Sequence, residues 1–268
     1  MKKTRIFVAI LLVATLFLLV GCGSKGEEVK SEIQRYEFMP GAFLDLINGN
    51  LDAVVGDSPV VLEYIKNNPE ADLHAFGDDA FEKEYYGIAM RKEDTELHEL
   101  VNAGLANIKN NGIYDKIFNK YFGDGEDYVV PESDNRLNVT YVVASDMAFA
   151  PFESVNEAGE PEGFDMDLIR AIAADQGFAV KLENTAWDGI LPALIAGNCD
   201  MVISAMTITE ERKQSVAFSD PYFEATQYIV VKEGSDIKSL DDILTGKKIG
   251  VQIGTTGDIA ITKLIEGK

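Results

Sequence analysis

Apolar positions recur along the chain with two spacings, one typical of helices and one typical of strands. Within 164–176, Met166, Ile169 and Ile172 follow the helical spacing, and Gly177 ends the pattern. The other predicted helices span 41–48, 59–67, 188–197, 240–244 and 257–265. Apolar runs of strand length lie between them, at 33–38, 52–55, 137–145, 179–183, 201–204, 229–231 and 249–252. This alternation predicts an α/β protein with its ligand site at the carboxyl ends of strands.

The first 22 residues have the pattern of a targeting segment. Lys2, Lys3 and Arg5 precede an apolar run of about fifteen residues, which is too short to span a membrane comfortably. The run ends at Gly21-Cys22, which resembles the lipobox of bacterial lipoproteins and implies that Cys22 is acylated. A plain signal peptide or anchor with an incidental cysteine is the alternative. Residues 23–30 are predicted to form a flexible tether.

The chain is strongly acidic, with a formal net charge of −21. That charge argues against nucleic-acid binding and predicts repulsion from anionic membranes, except at a lipid. The second cysteine, Cys199, has apolar neighbours, so we expect it to be buried rather than reactive. His74 and His98 have no suitably spaced partner, and we therefore predict neither a metal site nor a cofactor.

The run Ser-Ala-Met-Thr-Ile-Thr-Glu-Glu-Arg-Lys at 204–213 carries the clearest candidate chemistry. Thr209 can cap a helix whose first turn carries two acidic residues, and the free N–H groups of such a turn favour an anion. Arg212 adds a guanidinium, which offers two parallel donors to a carboxylate, and Thr207 can add further donors. The alternative is a capped surface helix with a solvated arginine.

A second candidate is Asp57, which follows the predicted strand at 52–55 and precedes the helix start Ser58-Pro59. A carboxylate at the carboxyl end of a strand suits an ammonium group, whereas the alternative is an N-cap aspartate. The loop Gly-Thr-Thr-Gly at 254–257 also follows a strand and offers backbone N–H groups at a helix start. It lacks the Lys-Ser/Thr pair of a nucleotide-binding loop.

Together these segments resemble the extracellular amino-acid-binding proteins of ABC importers, of the glutamine- and arginine-binding type. The run 204–213 resembles the part that holds the ligand carboxylate. The resemblance implies a two-lobed α/β fold of the type II periplasmic-binding-protein kind, with two hinge crossings. The residues that it implies at the ligand are Asp57, Asp146, Phe149, Trp187, Ser204, Ala205, Met206, Thr207, Arg212 and Thr256.

Three of these residues are expected to form the pocket for the ligand side chain. The aromatic faces of Phe149 and Trp187 can sandwich a planar amide or guanidinium, and Asp146 can accept hydrogen bonds at the far end. The alternative for both aromatic residues is a plain core position. Gly56 sits where some glutamine binders have a bulkier residue, which favours arginine or another long polar side chain.

The order of the segments departs from the family, in which the counterpart of 204–213 precedes that of Asp57. The acidic stretch 124–136 is typical of a linker, and it separates segments that resemble the family's last helices and its first strand. We therefore expect a circular permutation, and a fragment of a tandem duplication or an artificial rearrangement is the alternative. The lobes are then discontinuous: lobe 1 comprises 87–123 and 137–221, and lobe 2 comprises 30–81 and 227–268. The crossings are expected near 82–86 and 222–226.

The expected function is capture of a polar amino acid, arginine or glutamine, and its delivery to an ABC permease. The protein is expected to act as a monomer, lipid-anchored on the extracytoplasmic face of the cell membrane. One alternative is an enzyme on the same fold, similar to cyclohexadienyl dehydratases. The other is a ligand-sensing module, although no signalling segment is seen before the chain ends at Lys268.

Overall fold

The computed structural model describes residues 29–125 and 127–267, so the predicted signal segment and Cys22 lie outside the described residues. The strands are β1 (Glu32–Tyr36), β2 (Ala53–Asp57), β3 (Leu73–Gly77), β4 (Glu84–Tyr86), β5 (Ala89–Met90), β6 (Thr140–Ser145), β7 (Ser154–Val155), β8 (Pro161–Glu162), β9 (Ala179–Asn184), β10 (Met201–Val202), β11 (Ala217–Phe218), β12 (Phe223–Ala225), β13 (Gln227–Lys232) and β14 (Lys248–Gln252). The helices are α1 (Met39–Ile47), α2 (Ser58–Asn67), α3 (Thr95–Asn110), α4 (Ile113–Phe122), α5 (Phe164–Gln176), α6 (Trp187–Ile195), α7 (Glu210–Lys213), α8 (Leu240–Ile243) and α9 (Thr256–Glu266).

Lobe 2 is built on a five-stranded sheet with the order β1-β14-β2-β13-β3. β14 lies parallel to both β1 and β2, whereas β13 runs antiparallel to β2 and β3. Ile249 of β14 is in register with Ile33 on one side and Ala53 on the other. The first and last strands of the described chain are therefore neighbours in one sheet.

Lobe 1 has its own five-stranded sheet, in the order β11-β5-β10-β6-β9. β6 lies parallel to β9 and β10, and β5 runs antiparallel to β10 and β11. Its core includes the buried faces of α3 and α5. These helices approach closely at Gly104, where a β-carbon would lie 2.8 Å from Cγ2 of Ile172.

The chain passes between the two sheets along β4 and β12, which pair with each other in antiparallel register. Tyr86 of β4 lies opposite Phe223 of β12, and their rings stack with centroids 5.7 Å apart. Two α/β lobes, each with a mixed sheet, are joined here by two short strands, and such a connection permits hinge motion between the lobes. The predicted two-lobed α/β fold is confirmed.

Helix α5 has the predicted bounds, because Gly177 takes a left-handed conformation (φ 76°) that ends the helix without a β-carbon clash. Other predicted bounds were less accurate. The strand predicted at 137–145 begins at Thr140, since the chain turns at Asn138 (φ 52°). The strand predicted at 201–204 ends at Val202, and Ala205 beyond it also has a positive φ, of 43°.

The predicted linker 124–136 contains no helix or strand among its described residues and runs over lobe 1. Tyr128 and Val130 pack against the core of that lobe, and the Ser133 hydroxyl donates to the Ala173 carbonyl at 3.2 Å. Outside the linker, Cys199 is buried as predicted, and Nε2 of His98 lies 2.8 Å from the Phe218 carbonyl. None of the helices in the described ranges has the length and apolar character needed to cross a membrane.

Candidate functional site

A cleft between the lobes opens where strands of both sheets end. β2 ends at Asp57 and β14 at Gln252, while Asp146 directly follows β6. Carboxyl ends of parallel strands are the usual ligand edge of an α/β sheet. The lining of this cleft consists of Asp57, Asp146, Phe149, Trp187, Ser204, Ala205, Thr207, Arg212, Gln252, Thr255 and Thr256.

Nine of the ten residues predicted at the ligand line this cleft. The exception is Met206, whose side chain is fully buried in a core cluster with Ala89 and Val202. Only its backbone faces the hinge, where its carbonyl accepts from Gly87 N at 3.0 Å. Met206 therefore lies outside the lining of the cleft, and its predicted role at the ligand stays a prediction. The ligand roles of the other nine residues stay predictions.

Arg212 is positioned by the short helix α7 and by its own guanidinium contacts. The Thr209 hydroxyl caps the helix by accepting from Arg212 N at 3.1 Å, as the sequence predicted. Nη1 donates to the Thr207 carbonyl at 2.8 Å, and the guanidinium carbon lies 5.2 Å from the Trp187 ring centroid. Across the cleft, Nη2 donates to the Gly254 carbonyl of lobe 2 at 3.4 Å.

The charge of Arg212 is not neutralised by a direct ion pair. None of the ion pairs found within 29–125 and 127–267 includes this residue. Burial lowers the pKa of its guanidinium, whereas the charges of Glu84 and Asp57 oppose that shift. The side chain therefore combines a positive charge with a partly desolvated position, and this combination favours a carboxylate ligand.

Asp57 is buried, with 5% of its surface exposed, and is held from two directions. Its carboxylate accepts from the Tyr86 hydroxyl and, at 2.7 Å, from Nε2 of Gln227. Although Asp57 stands at the start of α2, its side chain makes no capping hydrogen bond. Asp57 therefore occupies the N-cap position without capping the helix through its side chain, and the residue lines the cleft.

A second carboxylate, Glu84, lies beside Asp57 and was missed by the sequence analysis. One oxygen of Glu84 accepts from the hydroxyls of Thr207 at 2.6 Å and Thr256 at 2.7 Å, and the other accepts from Gln227 Nε2 at 3.1 Å. Burial and the charge of Glu84 raise the pKa of Asp57 to about 7. Glu84 lies on the crossing strand β4, in a charged stretch that gives no sequence signal of a site.

The far end of the cleft is rich in hydrogen-bond acceptors. Asp146 is 2% exposed, and its Oδ2 accepts from Nε2 of Gln252 at 2.8 Å. The same amide nitrogen donates to the Glu37 carbonyl at 3.0 Å. Oδ1 of Asp146 and Oε1 of Gln252 are buried and have no partner among the described residues. Burial, together with the charges of Glu37 and Asp188, raises the pKa of Asp146 to about 6.

Gln252 and Thr255 are further lining residues that the sequence analysis missed. Gln252 ends a predicted strand as Asp57 does, so the rule that found Asp57 also applied to it. Thr255 is the N-cap of α9, and its hydroxyl accepts from Asp258 N at 3.3 Å. Within the described ranges there is no group of three His, Cys, Asp or Glu residues that could hold a metal ion.

Comparisons with known proteins bear on this cleft. The sequence model of the bacterial extracellular solute-binding proteins, family 3, matches residues 10–124 and 141–263. A probable histidine-binding protein from Neisseria gonorrhoeae is 44% identical over 143 residues, which cover 53% of this chain and 53% of that protein. The arginine-binding extracellular protein ArtP of Bacillus subtilis is 38% identical over 114 residues, which cover 42% of this chain and 44% of that protein.

The chain thus spans about half the length of the curated relatives it matches. Among solved structures, an ancestral arginine-binding protein bound to arginine is 45% identical. That match covers 48% of this chain and 57% of the other, with a TM-score of 0.44.

Proposed function

The chain belongs to the bacterial extracellular solute-binding proteins, family 3, and from this premise we propose that it binds a free polar amino acid between its lobes, with arginine preferred to glutamine. The bound amino acid is delivered to an ABC permease, and no cofactor takes part. The relatives support an amino-acid ligand, since those named above bear the names of histidine- and arginine-binding proteins.

The observation that carries the preference for arginine is the polarity of the far end of the cleft. Both N–H groups of the Gln252 amide are directed to acceptors, Glu37 O and Asp146 Oδ2. Two atoms there have no partner, Asp146 Oδ1 and Gln252 Oε1. The amide oxygen can only accept hydrogen bonds, and so can the carboxylate oxygen when Asp146 is ionised. A guanidinium brings five donors to these two free acceptors, whereas the carbonyl of a glutamine side chain finds no donor in either of them.

The near end of the cleft suits the two charges shared by every free amino acid. Arg212 faces the carboxylate, and the hydroxyls of Thr207 and Thr256 lie close by, 3.5 Å from each other. Asp57 faces the ammonium group. A buried charge costs several kcal/mol unless it is paired, so an amino acid with both charges intact matches this end better than a neutral solute.

We propose binding rather than catalysis. Asp57 and Glu84, the acids at the near end of the cleft, already accept hydrogen bonds from fixed donors. Asp146, the other acid of the lining, lies at the far end, where the side chain of the amino acid is expected. A dehydratase needs an acid that is free to transfer its proton to the substrate. Recovery of unaltered amino acid after prolonged incubation with the protein, measured by chromatography, checks this; a new product would establish the enzyme alternative.

The proposal is tested with Trp187, the only tryptophan of the chain. Because its ring lies against Arg212, a ligand carboxylate at that position changes the surroundings of the indole. Arginine should change the fluorescence and raise the melting temperature most, histidine, lysine and glutamine less, and leucine not at all. Tight leucine binding, or no response to any of the twenty amino acids, would overturn the proposed function.

The same titration with Asp146→Asn tests the arginine preference. Loss of the charged partner should weaken arginine binding by about 1.5–3 kcal/mol, and glutamine binding by less, because hydrogen bonds to charged groups are the stronger ones. Asp79→Asn, at an exposed position outside the cleft, is the control. Equal losses for both ligands would mean that Asp146 does not select the side chain.

For the domain organisation we propose the circular permutation, with lobe 1 formed by 87–123 and 137–221, lobe 2 by 30–81 and 227–268, and 124–136 as the joining linker. The pairing of β1 with β14 supports it, as does Arg35 of β1, which donates to Asp258 of α9 at 2.9 Å. When two halves of a chain are exchanged, an alignment that keeps the residue order can match only one half at a time. The partial coverage of the relatives agrees with such an exchange.

A reordered chain tests the permutation. The variant starts at residue 137, joins 267 to 29 through a short loop and ends at residue 123. It should keep the melting temperature within a few degrees and bind the same amino acid, because its new connection lies within lobe 2. Failure of this variant to fold would argue against an exchanged order.

We further propose that the protein is a monomer held at the extracytoplasmic face of the cell membrane by a lipid on Cys22, with 1–21 removed, Cys22 as the new first residue and 23–30 as tether. The net charge of −21 disfavours direct binding of the protein to an anionic membrane surface, so the lipid is the proposed attachment. Cys22→Ala should move the protein from the membrane fraction to the soluble fraction; unchanged membrane association would contradict the lipid anchor.

A further inference from the structure

Two carboxyl groups are completely buried in lobe 1, directly behind the segment 204–207 of the cleft. They belong to Glu153, which follows the turn at Phe149, and to Asp165 in the first turn of α5. Neither forms an ion pair with a Lys, Arg or His of the described residues. A buried acid without a cation needs another source of stabilisation.

Hydrogen bonds connect each of these acids to the ligand-binding segment. The Ser204 hydroxyl donates to Glu153 Oε1 at 2.8 Å and accepts from Asp146 N at 3.0 Å. Asp165 Oδ2 accepts from Ala205 N at 2.8 Å. Ala205 has a positive φ of 43°, which a non-glycine residue holds only when its surroundings enforce it. The two acids therefore fix the backbone that lines the cleft.

The two acids also interact with each other. Glu153 Oε2 and Asp165 Oδ1 are buried and accept no hydrogen bond from a described donor, yet the two side chains are hydrogen-bonded to each other. Two carboxylate oxygens can form that bond only if one of them carries a proton. A single proton shared by the two carboxyl groups permits this bond and removes one negative charge from the interior.

We propose that Glu153 and Asp165 share one proton and act as positioning residues that hold Ser204 and Ala205 in the ligand-binding geometry, so that ligand affinity falls when this proton is lost. The proposal rests on the proposed amino-acid binding. Neither acid touches the ligand in this scheme, since both act through the segment 204–207.

The direction of the pH effect follows from the environment of the pair. Burial raises the pKa of Asp165 to about 7, and burial and the charge of Asp165 raise that of Glu153 well above its ordinary value. A raised pKa in the folded state means a stabilising contribution that is complete at low pH and lost as the pH rises through the raised value. Because the pKa of Glu153 is raised further than that of Asp165, ionisation of Asp165 leaves one proton on the pair. This shared proton is lost only at higher pH, on the alkaline side of the Asp165 transition.

The groups that face the pair from neighbouring elements are also acidic. Asp146 at the end of β6 adds negative charge next to Glu153. Tyr222, before β12, donates to Asp165 Oδ2 at 2.7 Å, and Tyr86 of β4 and Tyr114 of α4 are the other titratable neighbours. The cations Lys120 and Arg170 pair with Asp167 of α5 instead. If both acids ionise, none of these contacts supplies a positive charge that would compensate.

The test measures arginine affinity by calorimetry between about pH 7 and pH 10, with the full chain and three variants. Glu153→Gln carries a permanent donor toward Asp165 and keeps an acceptor for Ser204. Its affinity should not show the alkaline loss of the wild type, so that the ratio of the two affinities changes at least about threefold over this range. The ratio removes the contributions of the ligand's own titration and of Asp57. Glu153→Ala should lower the affinity at least about tenfold at every pH, with an unchanged circular dichroism spectrum.

Glu162→Gln, on the exposed strand position of β8, is the control and should follow the wild type. Parallel pH profiles for the wild type and Glu153→Gln would overturn the shared proton, and wild-type affinity in a folded Glu153→Ala would overturn the positioning role. Urea unfolding without ligand separates this proposal from the proposed function. If no amino acid binds, the positioning role fails with the proposed function, but an alkaline loss of wild-type stability relative to Glu153→Gln still demonstrates the shared proton.

Discussion

Replacing Arg212 with alanine should weaken arginine binding by about 2–5 kcal/mol, or roughly 30-fold to several thousandfold. The guanidinium is partly desolvated, and no ion pair of the described residues includes it. Its truncation leaves the ligand carboxylate buried in the cleft without a counter-charge, and this loss is the larger part of the expected effect. Isothermal titration calorimetry near pH 8 measures it directly.

Two further variants make this result specific to the geometry of Arg212. Arg212→Lys keeps the positive charge but loses the planar pair of donors, so its affinity should lie between those of the wild type and Arg212→Ala. Lys213→Ala removes the neighbouring cation, which is paired with Glu210 at 2.8 Å on the surface, and should change the affinity by less than about twofold. A loss below about tenfold in Arg212→Ala would reject Arg212 as the main carboxylate ligand.

The sequence was most informative where local chemistry and tertiary position agree. Helix α5 has an unbroken apolar spacing and a glycine stop, and its bounds are the predicted ones. Asp57 was found because a polar residue directly after a buried strand lies at the ligand edge of the sheet. Met206 was predicted at the ligand from the family resemblance, although its apolar side chain packs in the core cluster behind that edge.

The missed residues show where such reasoning ends. Glu84 reaches Thr207 and Thr256 only because β4 pairs with β12 and brings the crossing beside the cleft. Gln227 opens β13 and contacts Asp57 from a neighbouring strand that is 170 positions away in the sequence. Neither position is distinguished by its local sequence, because the contacts are created by strand pairing across the whole chain.

The pair Glu153 and Asp165 illustrates the same limit for electrostatics. Each residue directly follows a phenylalanine, and nothing in the local sequence distinguishes it from a solvent-exposed carboxylate. Their burial results from the packing of α5 and the Phe149 turn, in which Asp165 N donates to the Phe152 carbonyl at 2.9 Å. A raised pKa at such sites follows from the fold and not from the residue type.

Arginine binding should also depend strongly on pH, with affinity rising between about pH 5 and pH 8. The ammonium group needs an ionised Asp57, whose pKa is raised to about 7, and the guanidinium needs an ionised Asp146, whose pKa is raised to about 6. At about pH 5, release of the Asp57 proton alone costs an affinity factor on the order of 100. Binding should therefore release protons in this range.

The stability of the ligand-free protein should change in the opposite direction. Both carboxyls have folded-state pKa values above their ordinary ones, so they stabilise the fold most below about pH 4 and lose this contribution as the pH rises through about 6 to 7. Carboxylates elsewhere with lowered pKa values, such as Asp78 and Asp242, act with the other sign. Comparison of Asp57→Asn with the wild type isolates the contribution of the cleft.

Asp57→Asn should lose most of the pH dependence and bind arginine more weakly at pH 8 by about 2–5 kcal/mol, because the ammonium group then lacks its charged partner. Proton release is measured by calorimetry in buffers of different ionisation enthalpy, and it should fall by nearly one proton in the variant at about pH 6. The exposed Asp79→Asn should behave as the wild type does. Undiminished affinity or unchanged proton release in Asp57→Asn would show that another group, with Glu84 the nearest carboxylate, holds the ammonium group.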